Sequence, residues 1–359
     1  MGARVPGGTS LAEHWLSLDL DGWTRLMVRR HFDPDLGSPY WLKRVPELGF
    51  DPRDITRYAE LAAFGPMTSG DLRGVDPADL VPKTVPRPLA GTVWETGGTT
   101  GAPVRVFYTE AMITHRMEWR RWSFVHDGYE PGRTWLQATP SGPHLIGIGM
   151  REIAELRGGL AYTIDMDPRW IKSLIRAGRL KEAEEYTGHV LGQITEILRS
   201  RRVHYLNTTP ALLRKLIGSS PDLVAALDGV RLGGTHVSAE AHREFTAALN
   251  GGLVRSGYGN TFGNAVSLGP DRDGVMAPYV PTYPQVTMSV VTPGDHTAVV
   301  TPGQSGQLML TVLQDGLFLP NVLERDQAVR HETAGQWPAD GVANVRPLEV
   351  SQVAPEGLY

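Results

Sequence analysis

No cysteine occurs among the 359 residues. Its absence excludes disulfides, thiolate zinc sites and a cysteine nucleophile together. Long apolar runs are missing too: the start, "MGARVPGGTSLAEHW", offers neither a signal peptide nor a spanning segment, and Pro6 spoils a myristoylation pattern. The expected location is therefore cytoplasmic. Neither sign of charge is in large excess, since the formal net charge is −4, so there is no electrostatic case for a nucleic acid or an anionic membrane as partner. Several reaction-specific patterns are also absent. No Gly-Lys-Ser/Thr completes a P-loop and no Gly-x-Ser-x-Gly elbow is present. His115, His126, His144, His189 and His204 show no His-Glu-x-x-His spacing, so no metal ligand set is expected.

What remains is a globular composition, 41% hydrophobic and 21% charged, long enough to bury a substantial core. Residues 1–90 read as an irregular segment rich in Pro, Trp and Arg that wraps a later core, ending in the proline-rich "PADLVPKTVPRPLAGT". Residues 91–274 read as an α/β core. Within it, "KEAEEYTGHVLGQITEILRSRR" carries Ala183, Val190, Leu191, Ile194, Ile197 and Leu198 at helical spacing. It is followed by the strand-like "VHYLNTTP", the helical "PALLRKLIGSSPDLVAAL", the strand-like "GVRLGGT", the helical "SAEAHREFTAALN" with Ser238 as N-cap, and the strand-like "GLVRSGYGN". Alternation of this kind implies right-handed crossovers and a parallel sheet. Residues 275–359 read as a smaller β-rich subdomain, from "VTMSVVTPG" through "FLPNVLERDQAVRHE".

One loop stands out. "TGGTTG" sets Gly97, Gly98 and Gly101 among Thr96, Thr99 and Thr100, with "TVW" before it and "VRVFYT" after it. Backbone N–H groups clear of side chains, with hydroxyls beside them, suit a phosphate or pyrophosphate. A plain hairpin turn is the competing reading. Two further glycine-rich segments close predicted strands: Gly233 and Gly234 in "VRLGGTHVS", and Tyr258 beside Gly259 in "VRSGYGNTFG". In open parallel sheets, ligands bind outside such strand ends.

The ordered series "ETGGTTGAPV", "NTTPALL", "LGGTHVS", "GYGNTFG", "GQLMLTVL" and "LERDQAVR" resembles the large N-terminal portion of adenylate-forming enzymes, in particular the phenylacetate-CoA ligase-like branch. "FGPMTSGDLRG" resembles that branch's opening segment and "GPHLIGIGMREIAELRGG" its glycine-rich stretch beside the acyl pocket; the match covers roughly residues 60–335. The resemblance implies mostly parallel sheets with flanking helices plus the β-rich subdomain. It implies ATP-dependent activation of a small carboxylic acid, aromatic by analogy, as an acyl-adenylate, then transfer to coenzyme A, a carrier-protein thiol or an amine. By resemblance, residues 96–101 hold the β- and γ-phosphates, and Gly233, Gly234 and Thr235 line the adenine and acyl pocket. Tyr258, with Gly259, stacks on adenine, Thr261 contacts the α-phosphate, Asp326 accepts from the ribose hydroxyls, and His144 and Gly147 border the acyl group.

The chain also departs from that pattern. Arg105 follows the loop where many relatives have a lysine, and would supply the charge. Phe262 stands where relatives place the glutamate that helps to hold magnesium, and a phenyl ring cannot bind a hard cation. The lysine-bearing mobile domain that follows in relatives is missing from this sequence, so the expectation is a one-domain version, impaired in adenylation. Two alternatives stay open: transfer from an adenylate supplied by a partner, and a degenerate nucleotide-binding module. Assembly as a homodimer is left open too.

Overall fold

The computed structural model describes residues 10–96, 102–147, 154, 157–269, 271 and 276–348. A hairpin comes first, β1 (Gly91–Glu95) paired antiparallel with β2 (Arg105–Thr109). A five-stranded, wholly parallel sheet follows, built from β3 (Trp135–Ala138), β4 (Ala161–Thr163), β5 (Tyr205–Thr208), β6 (Gly229–Leu232) and β7 (Leu253–Ser256) in the order β4-β3-β5-β6-β7. The strands are three or four residues long, and β3 and β5 are buried throughout, with polar Gln137, Asn207 and Thr208 inside. The helix predicted from the Ala183 to Leu198 spacing runs Leu180–Ser200. Ser238 caps the helix Ala239–Ala248, its hydroxyl accepting the Ala241 N–H at 3.1 Å.

The larger sheet is antiparallel. It comprises β8 (Ala265–Ser267), β9 (Tyr279–Pro281), β10 (Val286–Thr292), β11 (Asp295–Val299), β12 (Ser305–Gln314), β13 (Leu317–His331) and β14 (Gly341–Pro347), ordered β11-β10-β12-β13-β14-β9-β8. Its core is shared with the N-terminal segment. Met27, Val28, Phe32, Trp41, Leu61 and Leu72 pack into the same cluster as Leu308, Leu310, Phe318 and Leu319. Directional bonds fix that packing: the Trp41 indole donates to the Phe318 carbonyl at 2.9 Å, and the Asn321 amide to the Leu61 carbonyl at 2.7 Å. His31 bridges Ser38 and the Gln314 carbonyl, and burial holds its pKa down at about 3, so the ring is neutral.

The N-terminal segment is less irregular than its composition suggests. It contains a 12-residue helix, Leu20–His31, whose N-cap Asp19 accepts the Gly22 N–H at 2.6 Å. A second helix without an obvious sequence signal runs Glu110–His126, straight after β2. Thr109 caps it, accepting from Met112 N–H. Met112, Met117, Trp119 and Phe124 are buried on it, but so are His115, Arg116, Glu118 and Ser123. It is thus a buried helix with polar side chains on its inner faces.

Candidate functional site

The carboxyl ends of β5, β6 and β7 open into a cavity of about 1250 Å³, closed on the other side by β13, β14 and the helix Glu110–His126. Side chains from all of these elements meet there. Of the residues singled out in the sequence, Thr96, His144, Gly233, Gly234, Thr235, Tyr258, Gly259, Thr261 and Asp326 all line it. Gly97, Gly98, Thr99, Thr100 and Gly101 lie outside the described residues.

The neck of that loop is built by Thr96. Its backbone N–H donates to the Val104 carbonyl at 2.9 Å, and its hydroxyl accepts the Val104 N–H at 3.0 Å. Strand β1 therefore ends in a closed gate beside the cavity. The turn after β7 is also pinned: the Asn260 side-chain oxygen accepts the N–H groups of Phe262 and Gly263, each at 2.9 Å. Thr261 is held between the two, its hydroxyl donating to the Glu95 carbonyl at 3.3 Å and its carbonyl accepting the Tyr108 hydroxyl at 2.9 Å. A Cβ on Gly259 would meet Asn264 Oδ1 at 2.5 Å, so this turn needs glycine at that position. At Gly233 the added Cβ would meet only Ile146 Cδ1, at 3.3 Å, from the cavity wall.

Tyr258 and Asp326 lie 68 positions apart in sequence and are joined directly: the phenol donates to Asp326 Oδ2 at 2.9 Å. Burial, with Asp326 and Glu324 nearby, pushes the Tyr258 hydroxyl well above its ordinary pKa, so it stays a donor. Burial also raises the Asp326 carboxyl, partly offset by the Tyr258 bond. Glu324, two residues earlier on β13 where a bulge interrupts its pairing with β12, also lines the cavity and accepts from the Asn260 amide at 2.8 Å. Burial first, and the Asp326 charge second, push its carboxyl up to about 7. This carboxylate was passed over in the sequence, where "LERDQ" drew attention only to its aspartate. Strand alternation was the available signal.

His144 is buried beside Glu95, and burial with Arg169 nearby lowers its pKa, which favours the neutral ring. Two expectations are not met by position. Arg105 is largely exposed and pairs with Glu95 at 2.9 Å across the hairpin, where the two are register partners, so its guanidinium serves β1 and β2 and not the cavity. Gly147 does not line the cavity; its Cα faces the Pro140 carbonyl, which an added Cβ would approach to 2.3 Å. Phe262 is 2% exposed and packs in the core of the antiparallel sheet, and it also lines the cavity. Among the described residues no group of three His, Asp or Glu side chains is arranged to hold a metal ion. Tyr258, Asp326 and the Gly233-Gly234 pair bring a ring, a carboxylate and glycine backbone to the cavity wall.

No family model and no curated protein sequence matches the chain. Solved structures do match it. A crystal structure of 2-hydroxyisobutyryl-CoA ligase in the postadenylation state, with 2-HIB-AMP, superposes with a TM-score of 0.62 at 15% identity, covering 87% of this chain and 62% of that one. The same ligase with 2-HIB-AMP and CoA in the thioesterification state gives 0.61 at 15% identity, covering 91% and 68%. Its open conformation with the same two ligands gives 0.59 at 15%, covering 90% and 72%. The chain spans less than two thirds of the postadenylation-state ligase and has the fold of adenylate-forming ligases over that span. At this identity the likeness is one of fold.

Proposed function

We propose that the cavity binds an acyl-adenylate and that the chain activates a small carboxylic acid with ATP for transfer to a thiol or amine. The observation that carries the reading is the 2.9 Å bond between Tyr258, in the turn after β7, and Asp326 on β13, in the cavity that Gly233, Gly234 and Thr261 also line. Support for the chemistry comes from the solved structures above, whose ligases hold 2-HIB-AMP.

In this reading Tyr258 packs against the adenine, its orientation fixed by the bond to Asp326. Asp326 retains further lone pairs to accept from ribose hydroxyls. Thr261, fixed through its carbonyl to Tyr108, directs its hydroxyl toward the α-phosphate in exchange for the long contact to Glu95. Thr96, bonded twice to Val104, marks where the loop 97–101 leaves the hairpin. ATP supplies the activated phosphorus and the pyrophosphate leaving group. The remaining contribution of the chain is positioning, which on its own can supply a large part of a rate enhancement. Since Phe262 brings no carboxylate to the phosphates, adenylation is expected to be slow. A supplied adenylate remains the second reading, favoured by that same side chain.

Calorimetric titration with ATP and with AMP, each with and without magnesium, tests the reading. Saturable binding of either nucleotide, lost in Asp326→Ala, supports it. Absence of binding to both would refute it. Magnesium-dependent ATP binding would favour adenylation in place, and binding of AMP alone would favour a supplied adenylate.

A further inference from the structure

The helix Glu110–His126 sends Arg116, Trp119, Arg120 and Ser123 to the cavity. Their spacing of three, four and seven puts them on one helical face. Opposite them in sequence but adjoining in space is Arg231 on β6. Its guanidinium bonds Asp127 Oδ2 at 2.8 Å, lies 5.0 Å from the Phe124 ring centre and packs close over Gly257, where an added Cβ would come within 3.1 Å of Nη2. Ser123 donates to the same Asp127 oxygen at 2.9 Å, which ties the helix to the strand. Arg231 is thus a built cation, not a solvated one, and its side chain is only 13% exposed.

Trp119 adds an independent feature. It is 1% exposed, is fixed by ring contacts to Trp15, Trp122 and Trp337, and its indole N–H has no acceptor among the described residues. A buried donor without an acceptor is costly unless a ligand supplies one. Lys172, also buried, completes this side of the cavity. Arg116, Trp119, Arg120, Arg231 and Lys172 all present hydrogen-bond donors here and four of them are cations, with Arg231 paired to Asp127; Glu95 also lines the cavity. The carboxylates Glu324 and Asp326 stand on β13 with Tyr258, at the nucleotide end of the proposed site.

We infer that the acid is a dicarboxylate, whose second carboxylate is received by the Arg116, Trp119, Arg120 and Arg231 wall. This rests on the reading that the cavity holds an acyl-adenylate with its adenosine at Tyr258. A planar carboxylate can take two parallel bonds from a guanidinium and a third from the indole. A monocarboxylic acid of the same skeleton would leave that wall facing an apolar edge.

The test is calorimetric and uses benzoate, isophthalate and terephthalate as probes, with and without AMP. Either dicarboxylate should bind at least about ten-fold more tightly than benzoate, as expected for a charge-assisted bidentate contact. Arg120→Gln should erase most of that preference while leaving AMP affinity unchanged. Equal or tighter binding of benzoate by the unaltered protein overturns the proposal, whatever the variant does. Inorganic pyrophosphate is titrated in parallel: if Arg120→Gln weakens pyrophosphate and the dicarboxylates show no preference, the wall serves phosphates and the proposal fails. A dicarboxylate preference in a protein that binds no AMP would keep the anion wall and discard the adenylate reading, so the two failures are separable.

Discussion

Replacing Glu324 by Gln isolates the electrostatic cost of the carboxylate pair. Glu324 is pushed from an ordinary 4.5 up to about 7, chiefly by burial and then by Asp326. A raised folded-state pKa means that the folded protein binds this proton more tightly than the unfolded chain. The associated stability is present in full below about pH 4.5 and is lost as pH rises through about 7. The whole shift corresponds to about 3 kcal/mol. Gln cannot ionise and keeps the oxygen that accepts from Asn260, so it escapes that cost. Glu324→Gln should therefore be more stable than the parent by about 3 kcal/mol at pH 8 and by less than about 1 kcal/mol at pH 5. Other groups cancel in this difference. His31 and His115, both lowered to about 3 by burial, lose stability on acidification through about pH 6.5, but equally in both proteins. Urea unfolding at the two pH values, with unchanged m-values, reads the effect. An identical difference at pH 5 and pH 8 would refute the reasoning, because it would mean that Glu324 does not change charge between them.

Four more substitutions separate the parts of the site. Tyr258→Phe keeps the ring but removes the donor to Asp326, and should cost about 1–3 kcal/mol in urea unfolding; Tyr258→Ala removes the ring as well and should weaken AMP in calorimetry, and unchanged AMP affinity in that variant would remove Tyr258 from the nucleotide contacts. Phe262→Glu places a charge in the core of the antiparallel sheet, so it should destabilise by about 3 kcal/mol or more and not restore magnesium-dependent ATP binding. A well-folded variant with tighter magnesium-dependent binding would show that the position faces the phosphates. Arg105→Ala breaks an exposed cross-strand pair, should cost less than about 1 kcal/mol, and should leave nucleotide affinity intact; a large loss of ATP binding would restore Arg105 to the site.

The regular half of the chain was legible because its physics is local. From Leu180 to Ser256, apolar residues recur at helical spacing, Ser238 caps where a cap is needed, and short apolar runs end in glycine. That alternation implied a parallel sheet, and the glycine-bearing strand ends pointed to the place where a cavity now lies. The region from residue 275 read as short strands and turns, whereas β12 and β13 run for 10 and 15 residues. The helix Glu110–His126 was not legible, since its buried His115, Arg116, Glu118 and Ser123 erase the contrast between an apolar and a polar face. Periodicity detects a helix lying on a core, not one that also walls a polar cavity. Helix Leu20–His31 was hidden by the prolines and tryptophans around it. Glu324 was passed over because sequence gives the alternation of a strand but not which side a cavity opens on, so Asp326 was noticed and its neighbour was not.

The most direct test of the account is photo-crosslinking with 8-azidoadenosine monophosphate, followed by peptide mapping. The account predicts saturable labelling, suppressed by AMP, within the segment Gly233–Val237 or the turn from Gly257 to Gly263. Labelling confined to another face of the protein, or labelling that AMP does not suppress, would contradict the claim that this cavity is a nucleotide site.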